Sequence, residues 1–107
     1  MIIGALRLTF MVPPDGKSTH NAAQKIKDRL WSKFKVAVSE LPSPGSANQL
    51  VIGGALVGYE EQKTQERLDQ IVKHLNEWGN VELVNDETEL VHFDDLELER
   101  DFEKYDP

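Results

Sequence analysis

The residues best placed to do chemistry are the cations between Lys17 and Lys35. Lys17, Lys25, Lys27, Arg29, Lys33 and Lys35 stand against a single acid, Asp28, giving this segment +5 in a chain of formal charge −7. Lys25, Arg29 and Lys33 recur every fourth residue, so a helix would carry them on one side, with Lys17 at its entry. Clustered Lys and Arg suit salt-sensitive contact with phosphates or acidic groups, because neutralising phosphates releases condensed counterions. These four are the candidate binding residues. The plainer alternative is a solvated helix surface.

Other constellations carry less. Gly16-Lys17-Ser18-Thr19 looks like the end of a phosphate loop, but that loop opens on a glycine five residues earlier. Met11 stands there. A turn followed by a helix cap on Ser18 accounts for the stretch, and a helix N-terminus retains a weak attraction for anions. His20, His74 and His92 fall on three different elements without i, i+4 spacing, and the chain has no cysteine. Disulfides and thiolate sites are therefore impossible, and no metal site, cofactor or catalytic set is expected. The missing cysteines fit a reducing compartment.

The elements that must position these residues follow from periodicity. Residues 2–12 alternate, with Ile2, Gly4, Leu6, Leu8, Phe10 and Val12 on one side, which predicts a strand with one face in the core. Pro13-Pro14-Asp15-Gly16 ends it. Ala22 or Ala23, Ile26, Leu30 and Phe34 recur at helical spacing and form the stripe of a first helix, with Trp31 expected to be half-buried beside it. A second strand follows at Val36 to Leu41, then the loop Pro42 to Ser46. Gln49 to Val57 is apolar on both faces and reads as a central strand, in which Gly53-Gly54 marks a bulge or a close backbone approach. Leu68, Ile71, Val72, Leu75 and Trp78 give a second helix its stripe, from about Glu60 to Trp78, with Gly79 expected as a left-handed cap. Val81 to Val84 begins a fourth strand. Leu90 to Phe93 either extends it past a bulge at Asn85 to Glu87 or forms a short extra strand. The order β-α-β-β-α-β predicts an α+β fold: a ferredoxin-like split β-α-β sandwich with two helices on one face of a four-stranded antiparallel sheet.

Several stretches, taken together in order and spacing, resemble the YlxP-like family of uncharacterised bacterial proteins (domain of unknown function 503). They are Met1-Ile2-Ile3-Gly4-Ala5-Leu6-Arg7-Leu8, Lys27-Asp28-Arg29-Leu30 running to Phe34-Lys35-Val36-Ala37-Val38-Ser39-Glu40, Gly53 to Gly58, and Val81-Glu82-Leu83-Val84. The resemblance covers residues 1–93. It implies a ferredoxin-like fold without established activity, and a gene setting among transcription and translation factors, which points to an RNA or ribosome context. The family opens its first helix with a Ser-Leu-Lys-Glu-Lys-Arg-like run; here Asp15 to His20 keep only Lys17 of its bases. A contact made through that turn would be weaker or different in this chain.

Two further readings concern partners. Sheet-based RNA binders stack bases on aromatics, but the second register of the first strand is Ile3, Ala5, Arg7, Thr9 and Met11. A helix-borne contact with RNA or a ribosomal subunit is the better form of the idea. An open sheet face would instead expose Ile3 and Met11, with Leu41 and Leu50 or Ile52 nearby, and apolar patches of that kind mark interfaces. A homodimer or a protein-binding or ligand-sensing domain built on Ile3, Met11 and Leu41 is therefore the alternative. Residues 94–107 form an acidic tail holding −5 of the charge. Phe93, Phe102 and Tyr105 could anchor it, and it could compete for the basic helix. A domain at 1–93, no membrane span and a cytoplasmic location complete the expectation.

Overall fold

The computed structural model describes residues 1–43 and 48–93. The tail assigned to 94–107, its anchors Phe102 and Tyr105, and part of the Pro42 to Ser46 loop lie outside them. The order is β1 (Ile2–Met11), α1 (Gly16–Arg29), a π-helical turn (Leu30–Phe34), β2 (Ala37–Leu41), β3 (Gln49–Gly58), α2 (Glu61–Glu77) and β4 (Glu82–His92). The strands lie in the order β2-β3-β1-β4 and every pair is antiparallel. This is the ferredoxin-like arrangement.

The alternation of β1 does what its period requires. Ile2, Leu6, Leu8, Phe10 and Val12 are buried under the helices together with Leu50, Ile52 and Leu56 of β3. Ala23, Ile26 and Leu30 from the first helical stretch, and Leu68, Ile71 and Leu75 from α2, close the layer. Each of the Val, Leu, Ile and Phe side chains removed from water contributes about 1.5–3 kcal/mol before the entropy of ordering is set against it.

The two glycines in β3 mark close approach and not a bulge, for the β1–β3 register runs unbroken through them. A Cβ on Gly53 would lie 2.8 Å from Leu41 Cδ1 on the open face, and one on Gly54 would lie 3.2 Å from Val36 Cγ1 on the core face. The bulge sits in β4. Thr9 pairs with Asn85 and Phe10 with Leu83, which leaves Val84 as the extra residue. Leu90 to His92 therefore continue β4, of the two alternatives, past a bulge one residue earlier than Asn85.

Two local expectations are corrected. The cap of α1 is Asp15, whose carboxylate accepts from the Lys17 and Ser18 amides at 2.9 and 3.0 Å and from the Ser18 hydroxyl at 2.6 Å. Ser18 is the third residue inside the helix and acts as a donor. The Ser18 hydroxyl and amide, then the Lys17 amide, hold the Asp15 carboxyl below its ordinary pKa. α2 ends without a left-handed residue: Trp78 is extended, with φ −78° and ψ 110°. The left-handed position falls on Lys35 instead (φ 55°), where the π turn closes with the Val36 amide donating to Leu30 O at 3.4 Å and Val36 buried beneath.

A non-glycine residue in that conformation costs about 1–2 kcal/mol. Lys35→Gly is accordingly expected to raise stability by about 0.5–1 kcal/mol, read as a higher urea midpoint. An unchanged or lower midpoint would mean that the Lys35 side chain stabilises the turn by more than its backbone costs.

Candidate functional site

Helical geometry splits the cations of the α1 segment into two flanks. Taking Ile26 and Leu30 as the buried line, Lys25 and Arg29 stand about 100° to one side, and Lys27 and Trp31 about 100° to the other; Lys33 follows the first flank and Lys35 the second through the π turn. The first flank looks toward α2. Arg29 lies over the Trp78 ring, its Cζ 4.8 Å from the centroid, and Lys33 Nζ is 5.9 Å from the Phe34 ring. Lys25 is exposed. Lys17 is also exposed, on the first turn and three helical turns away from Lys27. Its amide is already held by Asp15, so the helix N-terminus offers little to an outside anion. None of these cations forms a salt bridge among the described residues.

Between the helices lies a group that the sequence did not single out. His74 meets Phe34 edge-on at 5.5 Å and stacks with Trp78 at 6.2 Å. Its Nε2 is inaccessible and without a hydrogen-bond partner. Burial, then Lys33 and Arg29, push the His74 pKa down, against an opposing pull from Glu77. The neutral ring is thus the folded form, and protonation would add a third positive charge to Arg29 and Lys33. Since the folded pKa is the lower one, His74 contributes stability above its unfolded value near 6.5, and that contribution is lost as pH falls toward the folded value. His74→Phe is expected to flatten the loss of stability as pH falls below about 6.5, measured by urea denaturation at a series of pH values. A variant that keeps the wild-type slope would contradict this assignment.

The second flank is more open than its sequence suggested. Trp31 is 58 % exposed, not half-buried, because it follows the buried Leu30 by one residue and swings off the core line. Lys35, turned back by its left-handed backbone, lies over the Trp31 ring at 5.3 Å. Both tryptophans of the chain therefore carry a cation on the ring, at the same end of the first helix.

The opposite face of the sheet carries no helix among the described residues. The rows across it are Leu41–Val51–Thr9–Asn85, Ser39–Gly53–Arg7–Glu87 and Ala37–Ala55–Ala5–Glu89, with Ile3, Val57 and Val91 beyond. Arg7 Nε donates to Glu87 Oε2 at 2.9 Å across the middle. Leu41 is 36 % exposed, while Ile3 and Met11 are only partly covered. Met11 and Leu41 lie toward one end, where a groove of about 700 Å³ runs between Leu41, Val51, Thr9 and Arg7. Ile3 lies at the other, with exposed Met1, Val57, Val91 and Phe93. The three residues of the expected partner face thus share a face but not one patch.

A family model described as "Protein of unknown function (DUF503)" matches residues 17–88. The chain belongs to this family. The matched residues hold both flanks of α1, the π turn and the His74 seam, so the candidate site lies inside the family's domain. No curated protein matches the chain. Among solved structures it is similar to a dimeric protein of unknown function and ferredoxin-like fold from Bacteroides fragilis (14% identity, 86% of this chain and 96% of that chain, TM-score 0.45). It is likewise similar to Rv0793 from Mycobacterium tuberculosis (11%, 87% and 95%, 0.47). A third likeness is to a mutant of SnoaB, a cofactor-independent oxygenase from Streptomyces nogalater (10%, 86% and 91%, 0.47). These are likenesses in the course of the chain, and what those proteins do stays with them. No helix among the described residues is long and apolar enough to cross a membrane.

Proposed function

We propose that this family member is a cytoplasmic binding module that contacts RNA, in the setting of the ribosome or the translation machinery, through the basic face of α1. The observation that carries the proposal is the gathering of Arg29, Lys33, Lys35 and both tryptophans at the C-terminal end of that helix. Cations without acid partners among the described residues supply a salt-dependent attraction to phosphates, and aromatic rings among them supply stacking surfaces. Lys25 extends the charge along the flank toward Lys17. The acidic residues 94–107 are the internal competitor for this surface, by charge alone.

The test is cosedimentation with ribosomal subunits from lysate at low and moderate salt. The wild-type chain is compared with one carrying Asp94→Asn, Asp95→Asn, Glu97→Gln and Glu99→Gln. Pelleting that falls with salt and is stronger for the neutralised tail supports the reading. If neither form pellets at low salt, the ribosome reading is wrong.

A second reading is favoured by the open sheet face, where Met1, Leu41, Val57, Val91 and Phe93 are exposed. A homodimer would cover them, with Ile3 and Met11 in the interface. Its attraction would be apolar and little affected by salt, so sedimentation of the purified chain at several salt concentrations separates it from the RNA reading.

A further inference from the structure

We infer that the outer flank of α1 is a stacking platform for unpaired bases, so that the RNA this module takes is single-stranded. The inference deepens the RNA reading above and rests on it. Trp31 leaves a wide indole in water on the most basic part of the chain. Lys27 precedes it by four residues, about 6 Å along the helix axis, and Lys35 follows it by four, at the left-handed close of the π turn.

The conformation of Lys35 is what aims its ammonium at the ring. A left-handed residue closing a π turn is an unusual device, and here it brings the cation to 5.3 Å from the indole centroid. One side of the ring is thereby occupied by charge. The indole, still 58 % exposed, keeps surface for a flat apolar partner.

The chemistry of the partner follows from this row of cation, aromatic and cation. A duplex presents phosphates but keeps the faces of its bases stacked inside, so it could use Lys27 and Lys35 and leave Trp31 idle. A peptide of acidic residues alone would do the same. An unpaired strand offers both at once, a base for the indole and phosphates on either side for the ammonium groups. On the other flank Arg29 and Trp78 repeat the pairing of cation and indole, but there the ring is also stacked on His74. Trp31 is therefore the open platform.

The experiment is fluorescence anisotropy with the full chain and three labelled probes: a single-stranded oligouridine of about 12 nucleotides, an RNA duplex of matched charge, and a glutamate-rich peptide. Wild type is expected to prefer the single strand. Trp31→Ala should weaken single-strand binding about tenfold or more while leaving duplex binding unchanged, and Trp31→Phe should restore most of the loss. Because Trp31 is exposed, the variants should keep the wild-type urea midpoint, which shows that the fold is intact. Single-strand binding indifferent to Trp31→Ala, but lost on reversing Lys25, Arg29 and Lys33, would overturn the platform and leave the RNA reading standing. Equal, Trp31-dependent binding of the peptide would also overturn it. If wild type binds neither RNA, the RNA reading itself fails, and the platform with it.

Discussion

Reversing Lys25, Arg29 and Lys33 together to Glu is expected to weaken binding to ribosomal subunits by at least about a hundredfold at low salt. Each cation that touches a phosphate adds about one to the salt slope, so losing three should flatten it by about 2–3. Replacing them with acids adds repulsion on top. The structure also says where the variant could mislead. Arg29 and Lys33 border His74 and Trp78, so acids there would raise the His74 pKa and alter the seam between the helices. Lys25→Glu alone touches neither ring and should still cost several-fold. Triple-variant binding within a factor of two of wild type at about 50 mM salt would remove this flank from the contact.

Gly58→Ala is expected to be the most damaging of the stability variants considered, at about 3 kcal/mol. Gly58 ends β3 directly beneath Thr64, which is 1 % exposed and whose Oγ1 donates to Glu60 O at 2.7 Å. A Cβ on Gly58 would lie far inside van der Waals contact distance of Thr64 Oγ1 and 3.0 Å from Thr64 Cβ. Thr64 is β-branched and cannot rotate freely on a helix, so the backbone must move or the hydrogen bond must break. Overpacking of this kind costs about 1–3 kcal/mol, and the lost hydrogen bond about 1 more. Urea denaturation reads the total. Removing the obstructing oxygen with Thr64→Ala should make the second change cheaper, a coupling that a double-mutant cycle measures. Strict additivity of the two changes would show that the approach is not as close as described.

The fold was largely legible because it is written in periods. The alternation of β1 and the helical stripes through Ile26 and Leu68 are local patterns, and the buried residues follow them. The π turn was not legible: Phe34 continues the stripe at helical spacing, and nothing in Leu30-Trp31-Ser32-Lys33-Phe34 announces an inserted residue. For the same reason the sequence points to Gly79 for the left-handed position, where a glycine adopts it without strain, and not to Lys35, which precedes the buried Val36. Asp15 and Ser18 were both competent caps. A helix beginning at Gly16 selects the carboxylate, since it alone precedes the first turn.

The candidate site divides along the same line. The charge of Lys25, Arg29 and Lys33 could be counted from the sequence, but the surface that they look toward could not. His74 and Trp78 lie forty or more positions away and meet Arg29 and Phe34 only because α1 and α2 pack side by side on one face of the sheet. A signal did exist for Trp31. One residue past a buried Leu30 on a helix is the edge of the stripe, and its neighbours at four residues on each side are lysines.

The most direct test of the account is the affinity of the full chain for purified ribosomal subunits across a salt titration. Contact through about four cations with single-stranded RNA predicts a linear fall of log K against log salt with a slope of about −3. Binding that is absent at the lowest salt, or a slope near zero, would contradict a phosphate contact through α1.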